Sequence, residues 1–246
     1  MKLVTPAFNR YTSLNLYFCD YITAFMKLIA IDTSTEACSA SLYDGNETYT
    51  RFEIAPRRHA ELILPMVKSL LDECDLSLTD IDVLAFGRGP GAFTGVRIAT
   101  GVIQGLAYSA SLPVVAVSSL AALAQSVATE HAYIMPAFDA RMGEIYCGFY
   151  QTMTSGVVAP VNEESVIAPD NLDINNDITW YGIGSGWQTY ADTLTSQFKV
   201  PVSSYRGDAW PSSEHIVPLA LEKICSGKTV SAEYVRPVYL RNRVTG

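Results

Sequence analysis

Charge is scarce in this chain. Of 246 residues only 17% are Asp, Glu, Lys or Arg, against roughly 25% in ordinary soluble domains, which points to surface covered by a partner. The charge present is acidic, 17 basic against 25 acidic side chains for a net charge of -8. Such a chain is not expected to hold a nucleic-acid backbone alone, because phosphate binding needs clustered Lys and Arg. The five cysteines (Cys19, Cys38, Cys74, Cys147, Cys225) are odd in number, widely spaced and contain no C-x-x-C pair. That argues against a disulfide framework or a zinc cage and for a reducing cytoplasm. No two of the three histidines, His59, His131 and His215, stand at metal-ligand spacing. His59 opens a helical pattern in which Ile63 occupies the position one turn on, so it reads as a surface or capping residue. No G-x-S-x-G elbow is present, and Ser118 and Ser119 follow a strand pattern without an evident base. No stretch of about 18 uncharged apolar residues exists, so none is expected to span a membrane.

What the chain has is apolar material, 49% of residues, enough for one large domain or two small ones. Residues 1–25 stand apart. Lys2 and Arg10 resemble a charged leader, but Asp20 interrupts the apolar stretch and no cleavage site follows. Tyr11, Leu14, Phe18, Tyr21, Ile22 and Phe25 recur at helical spacing, and Met26 then opens "MKLIAIDTS". This segment reads either as an extension ahead of the fold or as a genuine amphipathic element. From Lys27 a buried-strand pattern runs to Ser34. A second strand, Ala37–Gly45, ends in the hairpin signal Asp44-Gly45, and Glu47–Ile54 makes a third. A helix is predicted over Arg58–Cys74, with Pro65 bending it or marking its start. Asp82–Gly89 is a strand leading to a glycine loop, and Thr94 can cap a helix over Gly95–Ala110. Strand "PVVAVSS" and helix Ser119–Thr129 complete the first half. The second half opens alike: strand Ile134–Arg141, its hairpin mate Glu144–Gln151, strand Ser165–Pro169, strand Ile178–Gly186 ending in glycines, and helix Gln188–Gln197.

The halves share two features in the same order. Asp32 and Asp139 each end an apolar strand with a tyrosine 11 positions on, Tyr43 and Tyr150, and each half closes a strand with alternate glycines, Gly87-x-Gly89-x-Gly91 and Gly182-x-Gly184-x-Gly186. Together they predict an internal duplication. Two copies of a three-stranded meander with helices give an α/β fold of the duplicated actin-like, Hsp70-like (RNase H-like) two-lobe kind. The first lobe is expected over 26–130 and the second over 131–246, and the C-terminal segment could pack back on the first. Ligands of that fold sit between the lobes.

The glycine loop fails the strict phosphate fingerprints. G-x-G-x-x-G needs glycine at Thr94, and no lysine follows for a Walker A motif. A glycine turn feeding a helix N-terminus can still bind an anion; the other reading is a tight turn with close helix packing. Gly101 and Gly105 favour packing, since each costs about 1 kcal/mol of helix propensity relative to Ala, a cost that makes sense where another backbone approaches. Asp32, Asp139, Gly89 and Gly91 occupy the places of a nucleotide or phosphate site. Actin-like enzymes, however, follow the aspartate with glycine, whereas here Thr33, Ser34, Ala140 and Arg141 put side chains where bare backbone is needed. The site reads as working or, preferably, vestigial.

The segments "MKLIAIDTSTEACSASLYDG", "RRHAELILPMVKSLL", "GRGPGAFTGVRIATGVIQGLAYSASLPVVAVSSL", "FDARMGEIYCGFY" and "RPVYLRNRV" resemble the TsaB (YeaZ) family from Met26 onward. The resemblance implies a non-catalytic subunit of the bacterial tRNA threonylcarbamoyladenosine machinery and a paralogue of TsaD. TsaD transfers threonylcarbamoyl to N6 of adenosine 37 in tRNAs reading codons that begin with A. It implies pairing with TsaD through first-lobe helices, a homodimer when alone, the ATPase TsaE as a further partner, and tRNA reached only through the complex. It also implies no cofactor or metal on this subunit, with ATP and metal on its partners. TsaD's helical metal histidine pair would fall at His59 and Ile63, so only one ligand is present. Leu62, Met66 and Leu70 on one helix, with Gly101, Val102 and Gly105 on the next, then become a candidate partner-binding patch. The competing reading is that these leucines face their own sheet. Rival functions are an ATP-dependent small-molecule kinase or ATPase using the cleft and, disfavoured by the missing histidine and serine elbow, a glycoprotease-like peptidase. Arg236, Arg241 and Arg243 form a small basic tail.

Overall fold

A computed structural model of the chain describes residues 24–241 except 173, 175, 176 and 200. The expectations for residues 1–23, including Cys19, and for Arg243 lie outside the described residues. The first lobe holds β1 (Leu28–Asp32), β2 (Ala37–Tyr43), β3 (Thr48–Ile54), α1 (His59–Glu73), β4 (Val83–Gly87), α2 (Phe93–Ala110), β5 (Val114–Val117) and α3 (Ser119–Gln125). The second holds β6 (Tyr133–Arg141), β7 (Glu144–Cys147), β8 (Tyr150–Thr152), β9 (Val158–Pro160), β10 (Ser165–Ile167), β11 (Tyr181–Ile183), α4 (Ser185–Ser196) and β12 (Ser204–Arg206), followed by α5 (Ser213–Cys225).

The duplication is plain in the sheets. The first runs β3-β2-β1-β4-β5 and the second β10-β7-β6-β11-β12. In each, the first three strands are antiparallel and the last two join parallel to the aspartate-bearing strand. Tyr43 pairs with Leu28 near the start of β1, and Tyr150 with Ile134 near the start of β6, so the shared spacing reflects shared position. The expected strand Glu144–Gln151 is interrupted at Gly148-Phe149: β7 pairs with the end of β6 and β8 with its beginning.

β1 is buried along its whole length because helices cover both faces of its sheet. Ile29 and Ile31 pack with Ile63, Val67, Leu70 and Ile103 of α1 and α2, whereas Leu28 and Ala30 pack with Leu120 of α3 and Ile216 of α5. The hairpin after β2 turns where expected: Gly45 has φ +101°, and Asp44 Oδ1 accepts from the N–H groups of Asn46 and Glu47 at 2.9 and 2.8 Å. Pro65 lies exposed within α1 and does not mark its start. Ala92, not Thr94, is the N-cap of α2, and α3 stops at Gln125.

Helix α5 carried no expectation from sequence. It leaves the second lobe and lies across β1, β2, β4 and β5. Ser39 Oγ accepts its Ser213 N–H at 2.9 Å, and the Ser41 and Ser213 hydroxyls are 2.7 Å apart. The chain then returns along α2, where Gln104 donates to the Ala232 and Val235 carbonyls and the Val238 N–H bonds the Arg88 carbonyl at 2.9 Å. Cys38, Cys74 and Cys147 are free thiols. Among the described residues, no helix is long and apolar enough to cross a membrane.

Leu70 is fully buried against the sheet, whereas Leu64 on the same helix is 49% exposed. Leu70→Ala should therefore lower unfolding free energy by about 2–5 kcal/mol, and Leu64→Ala by about 0.5 kcal/mol or less, as read by urea titration.

Candidate functional site

The loop between β4 and α2 lies with its backbone directly on the β1–β2 connection. A Cβ at Gly87 would fall 1.8 Å from Asp32 Oδ2, at Gly91 2.2 Å from the Ser34 carbonyl oxygen, and at Gly95 2.0 Å from the Thr33 carbonyl oxygen. The Ala92 N–H bonds the Ser34 carbonyl at 2.7 Å and the Arg88 N–H the Val117 carbonyl at 2.8 Å. Thr33 Oγ1 donates to the Gly95 carbonyl at 2.7 Å. Gly91 and Gly95 stand where two main chains touch and Gly87 where the main chain meets a carboxylate, and two of the loop's N–H groups are already engaged. The second lobe repeats the device, with a Cβ at Gly184 falling 2.5 Å from the Ala137 carbonyl oxygen.

The two aspartates differ sharply. Asp32 is 1% exposed. Its Oδ1 accepts from the Ser34 N–H and Oγ, both at 2.7 Å, and its Oδ2 from Ser119 Oγ at 3.0 Å. Burial pushes its carboxyl above the ordinary carboxylate range, outweighing the Ser34 and Ser119 hydrogen bonds that pull the other way. Asp139 instead faces an inter-lobe cavity of about 500 Å³ that Ser34, Glu36, Gly91, Phe93 and Arg141 also line. Its carboxylate accepts from the Arg141 N–H at 2.8 Å and from Arg141 Nη1 at 3.0 Å. Of the four residues expected at a nucleotide site, the structure brings Asp139 and Gly91 to the cleft but not Asp32 or Gly89.

His59 is the first residue of α1 and is 7% exposed, with Nε2 lacking a hydrogen-bond partner. It is neither a surface nor a capping residue. The position one turn on, Ile63, is fully buried in the core, so a second ligand there would have to displace packing. No group of three or more His, Cys, Asp or Glu among the described residues could hold a metal. Burial pushes the Cys38 thiol up to about 12, which leaves it protonated and unreactive at neutral pH.

The outer face of α1 and α2 carries most of the expected patch. Leu62, Met66 and Val102 are half-buried, and Gly101 and Gly105 are exposed. A Cβ at either glycine would meet nothing within 4 Å, so among the described residues no backbone approaches them. Leu70 is the exception: its burial removes it from the patch, because the third position of the stripe has turned into the core. Along α2 the only charged side chain is Arg97, near its start, and Tyr108 near its end is 85% exposed. Sequence reasoning missed Arg97, whose guanidinium lies 3.7 Å over the Phe93 ring and donates from Nε to the Tyr239 hydroxyl at 2.8 Å. Tyr239 is 142 positions away, and no local pattern announces it.

Comparison with known proteins is concordant. The family model of TsaD, tRNA N6-adenosine threonylcarbamoyltransferase, matches residues 47–180. The tRNA threonylcarbamoyladenosine biosynthesis protein TsaB of Escherichia coli is 40% identical over 227 residues, 89% of this chain and 96% of that protein. TsaB of Haemophilus influenzae is 39% identical over 234 residues. The structure of YeaZ from Pseudomonas aeruginosa superposes with a TM-score of 0.81 at 42% identity, covering 87% of this chain and all of that one.

The contrast between the two glycine sets is measurable. Gly95→Ala, forced against the Thr33 carbonyl, should lose at least about 2 kcal/mol of unfolding free energy. Gly101→Ala, open to solvent in mid-helix, should gain about 0.5–1 kcal/mol in the same denaturant series.

Proposed function

Because the chain belongs to the TsaB (YeaZ) family, we propose that it serves tRNA threonylcarbamoyladenosine biosynthesis as a non-catalytic partner of TsaD. The outer face of α1 and α2 is the docking surface. The observation that carries this reading is the outer face where the two helices meet, with Leu62, Met66 and Val102 as apolar contacts, a second helix whose only charged side chain is Arg97, and Gly101 and Gly105 leaving room for a facing helix. An apolar face of this kind is what soluble monomers avoid exposing. A contact burying about 1,600 Å² in total makes a stable complex, and two facing helix pairs of similar shape could supply it. A pseudo-symmetric paralogue, or a second copy of this chain when the paralogue is absent, has that shape.

The sealing of Asp32 and the Arg141 side chain on Asp139 support placing ATP, metal and the transfer chemistry on the partners, TsaD and the ATPase TsaE. The tRNAs, those reading codons that begin with A, are then engaged through the assembly. The net charge of -8 supports the same division of labour, and a tRNA-modifying assembly belongs in the cytoplasm. The rival reading, a small-molecule kinase or ATPase, draws on the inter-lobe cavity beside Asp139.

Gly101→Trp combined with Gly105→Trp should fold with an unchanged thermal midpoint, since open space surrounds both positions. It should bind TsaD at least tenfold more weakly, a loss of about 1.4 kcal/mol, by size-exclusion and calorimetry. Unaltered pairing would remove the helix face as the docking surface. Micromolar Mg-ATP binding with turnover by the solitary chain would favour the kinase reading instead.

A further inference from the structure

A second cavity, of about 810 Å³, lies away from Asp139 and the glycine loop's contact with Ser34. Four separate segments converge on it. Arg88 comes from the glycine loop, Glu164 from the segment before β10, Lys223 from α5, and Lys228 from the turn after α5. Val117, Ala121, Val158 and Leu219 give it an apolar wall.

Its charges are not equally available. Glu164 is only 10% exposed and is occupied within the protein: it accepts from the Tyr150 hydroxyl at 2.5 Å, from Ser118 Oγ, and from Arg88 Nη2 at 3.5 Å. Glu163 and Glu222 are exposed, so water screens them. Lys223 is half-buried, and its ammonium donates to the Ala116 carbonyl at 2.6 Å. An ammonium has three donors, and among the described residues this is the bond it makes. Burial pushes Lys223 below the ordinary lysine range, the positive charges of Arg88 and Lys228 push the same way, and the Glu164 and Glu222 carboxylates push back. The Lys228 side chain meets no partner among the described residues. Arg88 already pairs with Glu164, which leaves Lys223 and Lys228 as the cations open to a ligand, and an apolar pocket with a few convergent polar groups is the usual form of a small-ligand site.

We propose that this cavity binds a small organic oxyanion, a carboxylate or phosphate ester, with the charged head on Lys223, flanked by Arg88 and Lys228, and the carbon body on the Val117–Leu219 wall. The ligand would touch both lobes and α5 together, so binding would stabilise the native state by linkage. The site is independent of the docking face on α1 and α2, and its test needs no partner protein.

The test is calorimetry and thermal unfolding of the full chain with inorganic phosphate and with citrate, each against sodium chloride at matched ionic strength. One saturable site with a dissociation constant of 1 mM or tighter is expected for at least one anion; phosphate alone points to a phosphate ester, and citrate alone to a carboxylate. Lys223→Met, which keeps the aliphatic stem, should weaken that binding at least tenfold while leaving the ligand-free thermal midpoint within a few degrees. Lys228→Met, at an exposed position that cannot disturb folding, should weaken it at least threefold. No saturable binding above the chloride control, or equal binding by wild type and both variants, would overturn the proposal.

Discussion

Between the end of β1 and the start of α2 the main chain at Gly91 and Gly95 lies directly on that of Ser34 and Thr33, and at Gly87 it lies directly on the Asp32 carboxylate. Gly87 abuts the Asp32 carboxylate, Gly91 the Ser34 carbonyl and Gly95 the Thr33 carbonyl, and a hydrogen bond from Ala92 to Ser34 closes the seam. Any side chain larger than hydrogen at these positions would push α2 off the sheet. The same contact seals Asp32 beneath its own turn, with the Thr33 hydroxyl on the Gly95 carbonyl and the Ser34 hydroxyl on Asp32 Oδ1. It also fixes where α2 lies beside α1, and hence the outward presentation of Leu62, Met66, Gly101, Val102 and Gly105. One packing constraint thus closes one surface and orients another.

The duplicated architecture was legible because strand order follows from features a sequence displays directly. An aspartate ending an apolar strand, a tyrosine opposite the strand's start and a glycine run after the crossover strand all recur, and the two sheets repeat the order and sense of their central strands. The glycine loop's role was legible only in part. Close packing does occur, but at Gly87, Gly91 and Gly95, whereas the sequence argument rested on Gly101 and Gly105, where a Cβ would meet no described residue within 4 Å. Helical periodicity groups Leu62, Met66 and Leu70 on one stripe, yet the stripe straddles the boundary between core and surface, and only the position of β2 puts Leu70 inside. His59 looked like a surface residue because two arginines precede it, yet it is 7% exposed. Arg97 with Tyr239, and Glu164 with Ser118 and Tyr150, join residues 14 to 142 positions apart, contacts that no local window contains.

Helix α5 and the segment after it change how the two lobes relate. α5 belongs by sequence to the second half but covers the first sheet. The chain beyond it runs back along α2 and then reaches β7, where Arg241 pairs with Glu144. Val238 and Leu240 line both cavities, so this segment forms the wall between them. A ligand on Lys223 and a partner on α1 and α2 would act on opposite sides of one sheet, α5 covering one face and α1 with α2 the other. On its own side α2 is held by the glycine seam near its start and by the Gln104 and Arg97 side-chain hydrogen bonds along its length.

The central claim, that the outer face of α1 and α2 is the working surface because the hairpin mouths are occupied, is most directly tested by hydrogen exchange of the chain with and without TsaD. Slowed exchange along Leu62–Met66 and Gly101–Leu106, with the peptides around Ser34–Glu36 and Asp139–Gly143 unchanged, is the predicted result. Protection confined to those cleft peptides, with the two helices exchanging as in the free chain, would contradict it.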